Sequence, residues 1–177
     1  MFRSLHMKLA LILTLLIISV MAVVGSFLIN RISVYYFEDF TKQMDAVFTE
    51  NLFVALKSEA VAGDSVTRIK SAIDAYSTAL GINAYRNYYI LDGLTGKFLD
   101  GSIWVSDLER TPAILAALNG KIGQERRLTK NYIDRAVPIV VDDAVKYVVY
   151  IKDTKQELRD LILMLFSIIL RAIIFSL

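Results

Sequence analysis

The run Asn87-Tyr-Tyr-Ile-Leu-Asp-Gly-Leu-Thr-Gly-Lys-Phe-Leu99 decides what kind of fold this chain adopts. Tyr88, Tyr89 and Ile90 are aromatic or β-branched, types that fit a pleated, half-buried surface. Asp92-Gly-Leu-Thr-Gly96 carries turn chemistry, and Lys97-Phe-Leu99 resumes the strand pattern, so the stretch reads as a β-hairpin. Downstream, Thr111-Pro112 opens a short helix, with Thr as N-cap and Pro at the first helical position. Ile114, Leu115 and Leu118 give that helix an apolar face, and Asn119-Gly120 ends it. Three further strands are expected at 125–128, 132–141 and 145–151, with Asp142-Asp143 as the turn between the last two. Strands adjacent in sequence pair antiparallel. The expectation is an α+β fold, a five-stranded antiparallel sheet with helices on one face.

Upstream of the hairpin the period changes from two to between three and four. Phe37, Phe40, Met44, Val47, Phe48, Leu52 and Ala55 form one apolar helical stripe. Gly63 reads as a stop, and Asp64 or Ser65 as a fresh N-cap. A second amphipathic helix then runs through Val66, Ile69, Ile73, Tyr76 and Leu80 to Gly81.

Further out, both ends of the chain are strongly apolar. Residues 9–30, between Lys8 and Arg31, are 22 positions without a formal charge. As a helix they are roughly 33 Å long, against about 30 Å for the hydrocarbon core of a bilayer. The competing reading is a cleaved signal peptide. Its apolar region would be about 7–15 residues, shorter than this one, and Val23-Val24-Gly25 is only a fair cleavage site. An uncleaved transmembrane helix that continues outward as the long Phe37 helix is therefore expected. The second run covers 161–177, interrupted by Arg171. Arg171 at a bilayer centre would cost about 2.5–3.5 kcal/mol, whereas near the end of a span it reaches the headgroups. The competing reading here is a buried C-terminal helix; a second, short span is expected.

Charge is distributed to match. All 18 acidic residues lie within 31–160, where the net charge is −1, and Arg3, Lys8 and Arg171 lie outside it. The positive-inside rule then places residues 1–8 and the C-terminus in the cytoplasm of a two-pass cell-membrane protein, with 31–160 as one extracytoplasmic domain. Hydrophobic residues make up 55% of the 177, and mean hydropathy is +0.49. Disorder is excluded by that composition. A net charge of +2 argues against a nucleic-acid partner. The absence of cysteine excludes a disulfide framework and a thiolate metal site. A lone histidine, His6, leaves no Ser/His/Asp triad or histidine-rich zinc site, and no cofactor is called for.

Taken together, these segments resemble a known family. Tyr89-Ile-Leu-Asp-Gly-Leu-Thr-Gly-Lys-Phe-Leu99 resembles the first hairpin of extracytoplasmic PAS-like (Cache) domains. Ile114-Leu-Ala-Ala-Leu-Asn-Gly120 resembles their "ALxG" helix, and Arg135-Ala-Val-Pro-Ile139 with Val145-Lys-Tyr-Val-Val-Tyr-Ile151 their closing strand pair. Met1-Phe-Arg-Ser-Leu-His-Met-Lys-Leu9 is similar to openings of sensor histidine kinases of the cell-wall-metabolism (WalK) type. The resemblance implies the N-terminal sensor region of a two-component histidine kinase, non-catalytic in itself. The HAMP linker, phosphoacceptor helix and ATP-binding domain of such kinases are not found in these residues. Chemoreceptors and diguanylate cyclases carry similar input regions. A small membrane protein that regulates a partner through its spans, with Arg171 facing an acidic residue, is the reading from another class.

A PAS-like sheet implies a ligand pocket. Its candidate lining here is Tyr89, Trp104, Asp107, Arg127, Tyr132 and Arg135, beside Leu91. Aromatic walls and an arginine suit a small amphiphile such as an amino acid or organic acid, with the guanidinium gripping a carboxylate. The alternative is that Tyr89 and Leu91 are core and Trp104 caps the sheet. Lys121, Arg126, Arg127, Lys130 and Arg135 either meet an anionic envelope polymer or lipid, or form a solvated face. Asp142-Asp143 alone falls short of a calcium site. The stripe of Phe37, Phe40, Met44, Val47 and Phe48 pairs two copies in a homodimer, packs under the sheet, or does both, since a long helix can bury one stripe in its own domain and another at a dimer axis.

Overall fold

The structure, a computed structural model, describes residues 5–125 and 127–176, without the side chains of residues 5, 6, 173, 175 and 176. Arg3, the His6 side chain, Arg126 and Leu177, which figure in the sequence reading, lie outside the described residues. The chain divides into two compact units, one of residues up to Tyr36 together with those from Glu157 on, the other Phe37–Gln156. These limits lie a few residues inside the expected 31–160.

The first unit is helical. It contains most of α1 (Leu5–Val47) and α5 (Gln156–Ser176). Leu9, Leu16, Val23 and Phe27 on α1 are more than half exposed, a surface that hydrocarbon tolerates and water penalises. Among the described residues, α1 is the one helix long and apolar enough to cross a membrane. The two helices meet at Gly25, where a Cβ would lie 3.4 Å from Ile169 Cδ1. Beside that contact, Met21, Ala22, Ser26, Leu165 and Phe166 line a cleft of about 410 Å3.

The second unit is built on one antiparallel sheet. Its strands are β1 (Arg86–Asp92), β2 (Phe98–Gly101), β3 (Gly123–Gln124), β4 (Ile133–Val141) and β5 (Ala144–Asp153), in the order β2-β1-β5-β4-β3. The expected first hairpin is present. In its turn the Asp92 carboxylate accepts from Thr95 N at 2.7 Å and from the Thr95 hydroxyl at 2.6 Å, and Gly96 takes φ +68. These bonds, led by the Thr95 hydroxyl, hold the Asp92 carboxyl below its usual range. The closing pair turns at Asp142 and Asp143, both with positive φ, as a two-residue hairpin turn requires.

Helices cover both faces of the sheet, not the one face expected. Alternation along β1 sends Tyr88 and Tyr89 to opposite sides. Tyr88 donates its hydroxyl to Asp74 of α3 (Ser65–Asp74), while Tyr89 packs with Ile114 and Ala117 of α4 (Pro112–Leu118). The physical reason is that β1 and β5 are buried in unbroken runs, Tyr88 to Leu91 and Val148 to Ile151, which need cover on both sides. Thr111 caps α4 as expected, accepting from Ile114 N at 3.4 Å.

Three further expectations change. The stripe from Phe37 to Ala55 is not one helix: α1 ends at Val47, Thr49 is extended, and α2 (Glu50–Val61) restarts to bury Leu52, Leu56 and Ala60. Phe40 and Met44 are fully buried and Val47 and Phe48 nearly so within the chain itself. Those four side chains are spent on intramolecular packing, worth about 1.5–3 kcal/mol for each large side chain, while Phe37 is only partly buried. The helix expected to run to Leu80 stops at Asp74, and turns carry the chain to Gly81, φ +66. The strand expected at 125–128 is instead the two-residue β3 just before it.

Candidate functional site

Thr41 and Asp45 lie one helical turn apart on α1 and therefore share a face. The Thr41 hydroxyl donates to Phe37 O at 3.0 Å and accepts from Gln124 Nε2 at 2.8 Å, which ties α1 to β3. Arg135 on β4, directly paired with Gln124 in the ladder, donates from Nη1 to Asp45 Oδ1 at 2.6 Å. These four side chains, with Pro112, Ala113 and Ala116 of α4, bound a cavity of about 560 Å3 at the β3 edge of the sheet. Gly123 makes the arrangement possible: a Cβ there would meet Ala113 O at 2.2 Å, so only glycine lets β3 lie against the start of α4.

The electrostatics of this cavity are asymmetric. The Arg135 side chain is 9% exposed and that of Asp45 62%. The pair is thus deep on the cationic side and open on the anionic side. Arg135 Nε is buried and has no hydrogen-bond partner among the described residues, an uncommon state for a buried donor.

A second cavity, of about 570 Å3, lies between β2 and the segment that follows it. Lys97, Phe98, Trp104, Asp107 and Arg110 line it. Trp104 is 78% exposed, and Arg110 is engaged with Thr95 O at 2.8 Å.

The six residues singled out from the sequence are therefore not gathered in one pocket. Trp104 and Asp107 share the second cavity and Arg135 lines the first. Tyr89 and Leu91 are core: the Tyr89 ring meets Phe98 edge-on and lies 5.9 Å from Tyr150. Burial raises the Tyr89 hydroxyl pKa. Arg127 folds back on Glu125, donating from Nε and Nη2 to its two carboxylate oxygens at 3.0 and 2.9 Å, and that carboxylate raises the guanidinium pKa. Tyr132 carries the Lys152 ammonium 4.8 Å above its ring. Burial, then the charge of Asp134, raise its pKa.

Asp45, Thr41 and Gln124 were not singled out from the sequence, nor were Lys97 and Arg110. The available signal for Asp45 was its place on the polar flank of the Phe40 stripe. Between β5 and β4, Tyr150 donates to Asp134 Oδ2 at 2.9 Å, and Asp134 Oδ1 accepts from Glu125 N at 2.9 Å. Burial, followed by the Asp134 charge, drives the Tyr150 pKa strongly upward. Among the described residues no three His, Asp or Glu side chains gather as metal ligands would. No protein-family model matches the chain, and no curated protein matches it either.

Proposed function

We propose that the chain is the sensing and transmembrane portion of a bacterial two-component histidine kinase. The second unit is a PAS-like domain outside the cytoplasm. Residues 9–30 and α5 cross the membrane, both termini are cytoplasmic, and two copies associate along faces other than the buried Phe40 stripe. Chemistry is left to a kinase core, and this chain supplies the stimulus-dependent movement.

The observation that carries this reading is the continuity of α1. It is one helix from Leu5 to Val47. Its apolar portion is the candidate span, and its last residues, Phe40 and Met44, are core of the sheet-bearing unit. A change at the sheet that shifts Asp45 acts on the same hydrogen-bonded helix that enters the bilayer, and shifts of about 1–2 Å along such elements are a known form of switching. The PAS-like assignment is supported by the way the two quoted hairpins join. β1 and β5 pair over seven residues, from Arg86 opposite Asp153 to Asp92 opposite Tyr147, with α4 packed on them.

Sidedness tests this reading. The chain has no cysteine, so Leu94→Cys, at an 89% exposed position in the β1–β2 turn, is a unique thiol. A membrane-impermeant maleimide should label it in intact cells and should label Lys8→Cys only after lysis. Labelling of Leu94→Cys only after lysis would refute the sensor topology.

A further inference from the structure

We propose that Lys155 is a latch: its side chain fastens the turn at residues 127–130 to the start of α5, and its release frees that start to turn. The assignment begins with the backbone. β5 ends at Asp153 and α5 begins at Gln156, so two residues set the direction in which the chain leaves the sheet. Lys155 takes φ +56, in the left-handed region that crowds a Cβ against the following carbonyl and that glycine would occupy freely. Lysine is also a type seldom withdrawn from water unless it is paired, yet Lys155 is 7% exposed. A disfavoured backbone and a disfavoured burial thus coincide where the sheet hands over to α5.

Bonds from distant segments hold both in place. Lys155 Nζ donates to Leu128 O at 2.8 Å and to Lys130 O at 2.7 Å. Both acceptors belong to a turn in which Lys130 N donates to Arg127 O at 3.2 Å. Two carbonyls around one ammonium form a charge-assisted clamp. Lys155 N donates to Asp153 Oδ1 at 2.6 Å. Asp153 Oδ2 accepts from Arg86 Nε at 2.8 Å, and Arg86 Nη1 also reaches Gln43 of α1. The last turns of α1 and the residue before α5 are therefore linked through Gln43, Arg86, Asp153 and Lys155.

With the ammonium clamped, residue 155 stays left-handed. With it released, the clamp no longer offsets the strain, and residue 155 moves to the right-handed or extended regions open to any residue. The chain then enters α5 in a different direction. Two discrete arrangements of one junction are what a switch requires. Arg127, Leu128 and Thr129 are exposed, so a contact from outside can pull on the turn. As a relay in a sensor this latch rests on the function proposed above; as a two-state junction it rests on the bonds of Lys155 alone.

The test uses the full chain in lipid nanodiscs carrying Leu158→Cys, a unique thiol in this cysteine-free sequence, at a position in the first turn of α5 that is 4% exposed. Its rate of reaction with a water-soluble maleimide is set beside that of Val149→Cys, at a fully buried position in β5. Lys155→Met added to Leu158→Cys should speed labelling at least roughly tenfold, the loss of a charge-assisted clamp. Thr129→Gly, which loosens the turn and leaves Lys155 in place, should speed it about two- to fivefold. On top of Lys155→Met, Thr129→Gly should change nothing further, because the turn no longer holds α5. Unchanged labelling with Lys155→Met or with Thr129→Gly, equal acceleration at Val149→Cys, or full multiplication of the two effects each overturns the latch. Thr129→Gly alters an exposed turn residue, so it decides even where Lys155→Met fails to fold. Nanodiscs admit the reagent from both sides, which makes the outcome independent of topology. These rate changes with Leu94→Cys labelled only after lysis would refute the sensor reading alone, and external labelling without them would refute the latch alone.

Discussion

Replacing Arg86 by methionine should produce the largest single loss of stability in the sheet-bearing unit. Arg86 begins β1, and its side chain is 8% exposed. Its Nε donates to Asp153 Oδ2 at 2.8 Å, its Nη1 to Leu80 O at 3.0 Å and to Gln43, and its guanidinium lies 5.0 Å from the Phe40 ring centre. One residue thus joins α1, the segment before β1 and the end of β5. Methionine keeps much of the apolar stem but removes the guanidinium from the Asp153 carboxylate, which is 2% exposed. Breaking a buried pair from one side costs about 3–5 kcal/mol. At about 3–4 °C per kcal/mol for a unit of this size, that is roughly 10–20 °C in Tm. The assay is thermal unfolding of the full chain in detergent, followed by far-UV circular dichroism. Arg86→Met/Asp153→Asn should recover part of the loss, with a coupling above about 1 kcal/mol. A Tm within 3 °C of the parent for Arg86→Met, or strict additivity in the double variant, would refute the reasoning.

Gly123→Ala should cost about 1–3 kcal/mol, because the new methyl meets the Ala113 backbone at 2.2 Å and must push β3 from α4; the same melt reads it. Asp143→Gly should raise stability by about 0.5 kcal/mol, since φ +60 is relieved while the unfolded chain gains freedom. Lys70 donates to Asp100 at 2.7 Å and holds that carboxyl below its usual range. The resulting stabilisation is complete above the ordinary carboxylate pKa of about 4 and is lost as pH falls through the depressed value. Lys70→Met should therefore move the Asp100 titration upward, measured by carboxyl carbon NMR, and remove this part of the acid sensitivity.

Where local chemistry dominates, the fold was legible. The Asp92 turn, the Thr111-Pro112 helix start and the Asp142-Asp143 turn each depend on a few adjacent residues, and each is present. The break at Thr49 was not legible, because the apolar period runs through it without glycine or proline. It exists so that α2 can bury Leu52, Leu56 and Ala60, a tertiary demand. β3 was misplaced for a related reason. Gly123 is a poor strand former, and it is there for a close approach to Ala113 that only the folded chain reveals. Cover on both faces had a signal that went unread: consecutive apolar residues in β1 and β5 leave no face for water. The candidate site was half legible. Arg135 stands out as an arginine amid an apolar strand, whereas its partner Asp45 lies 90 residues away, where it looks like any charge on a solvated helix face.

The central claim is that α1 carries events at the sheet into the membrane, and disulfide mapping along the span tests it most directly. Single cysteines at positions 18–29 of the otherwise cysteine-free chain would be oxidised in native membranes, with and without Asp45→Ala. The account expects cross-linking between copies to peak on one helical face, with the peak moving or its rate changing several-fold when the Asp45 anchor is removed. A flat profile, or one that Asp45→Ala leaves unchanged, would contradict it.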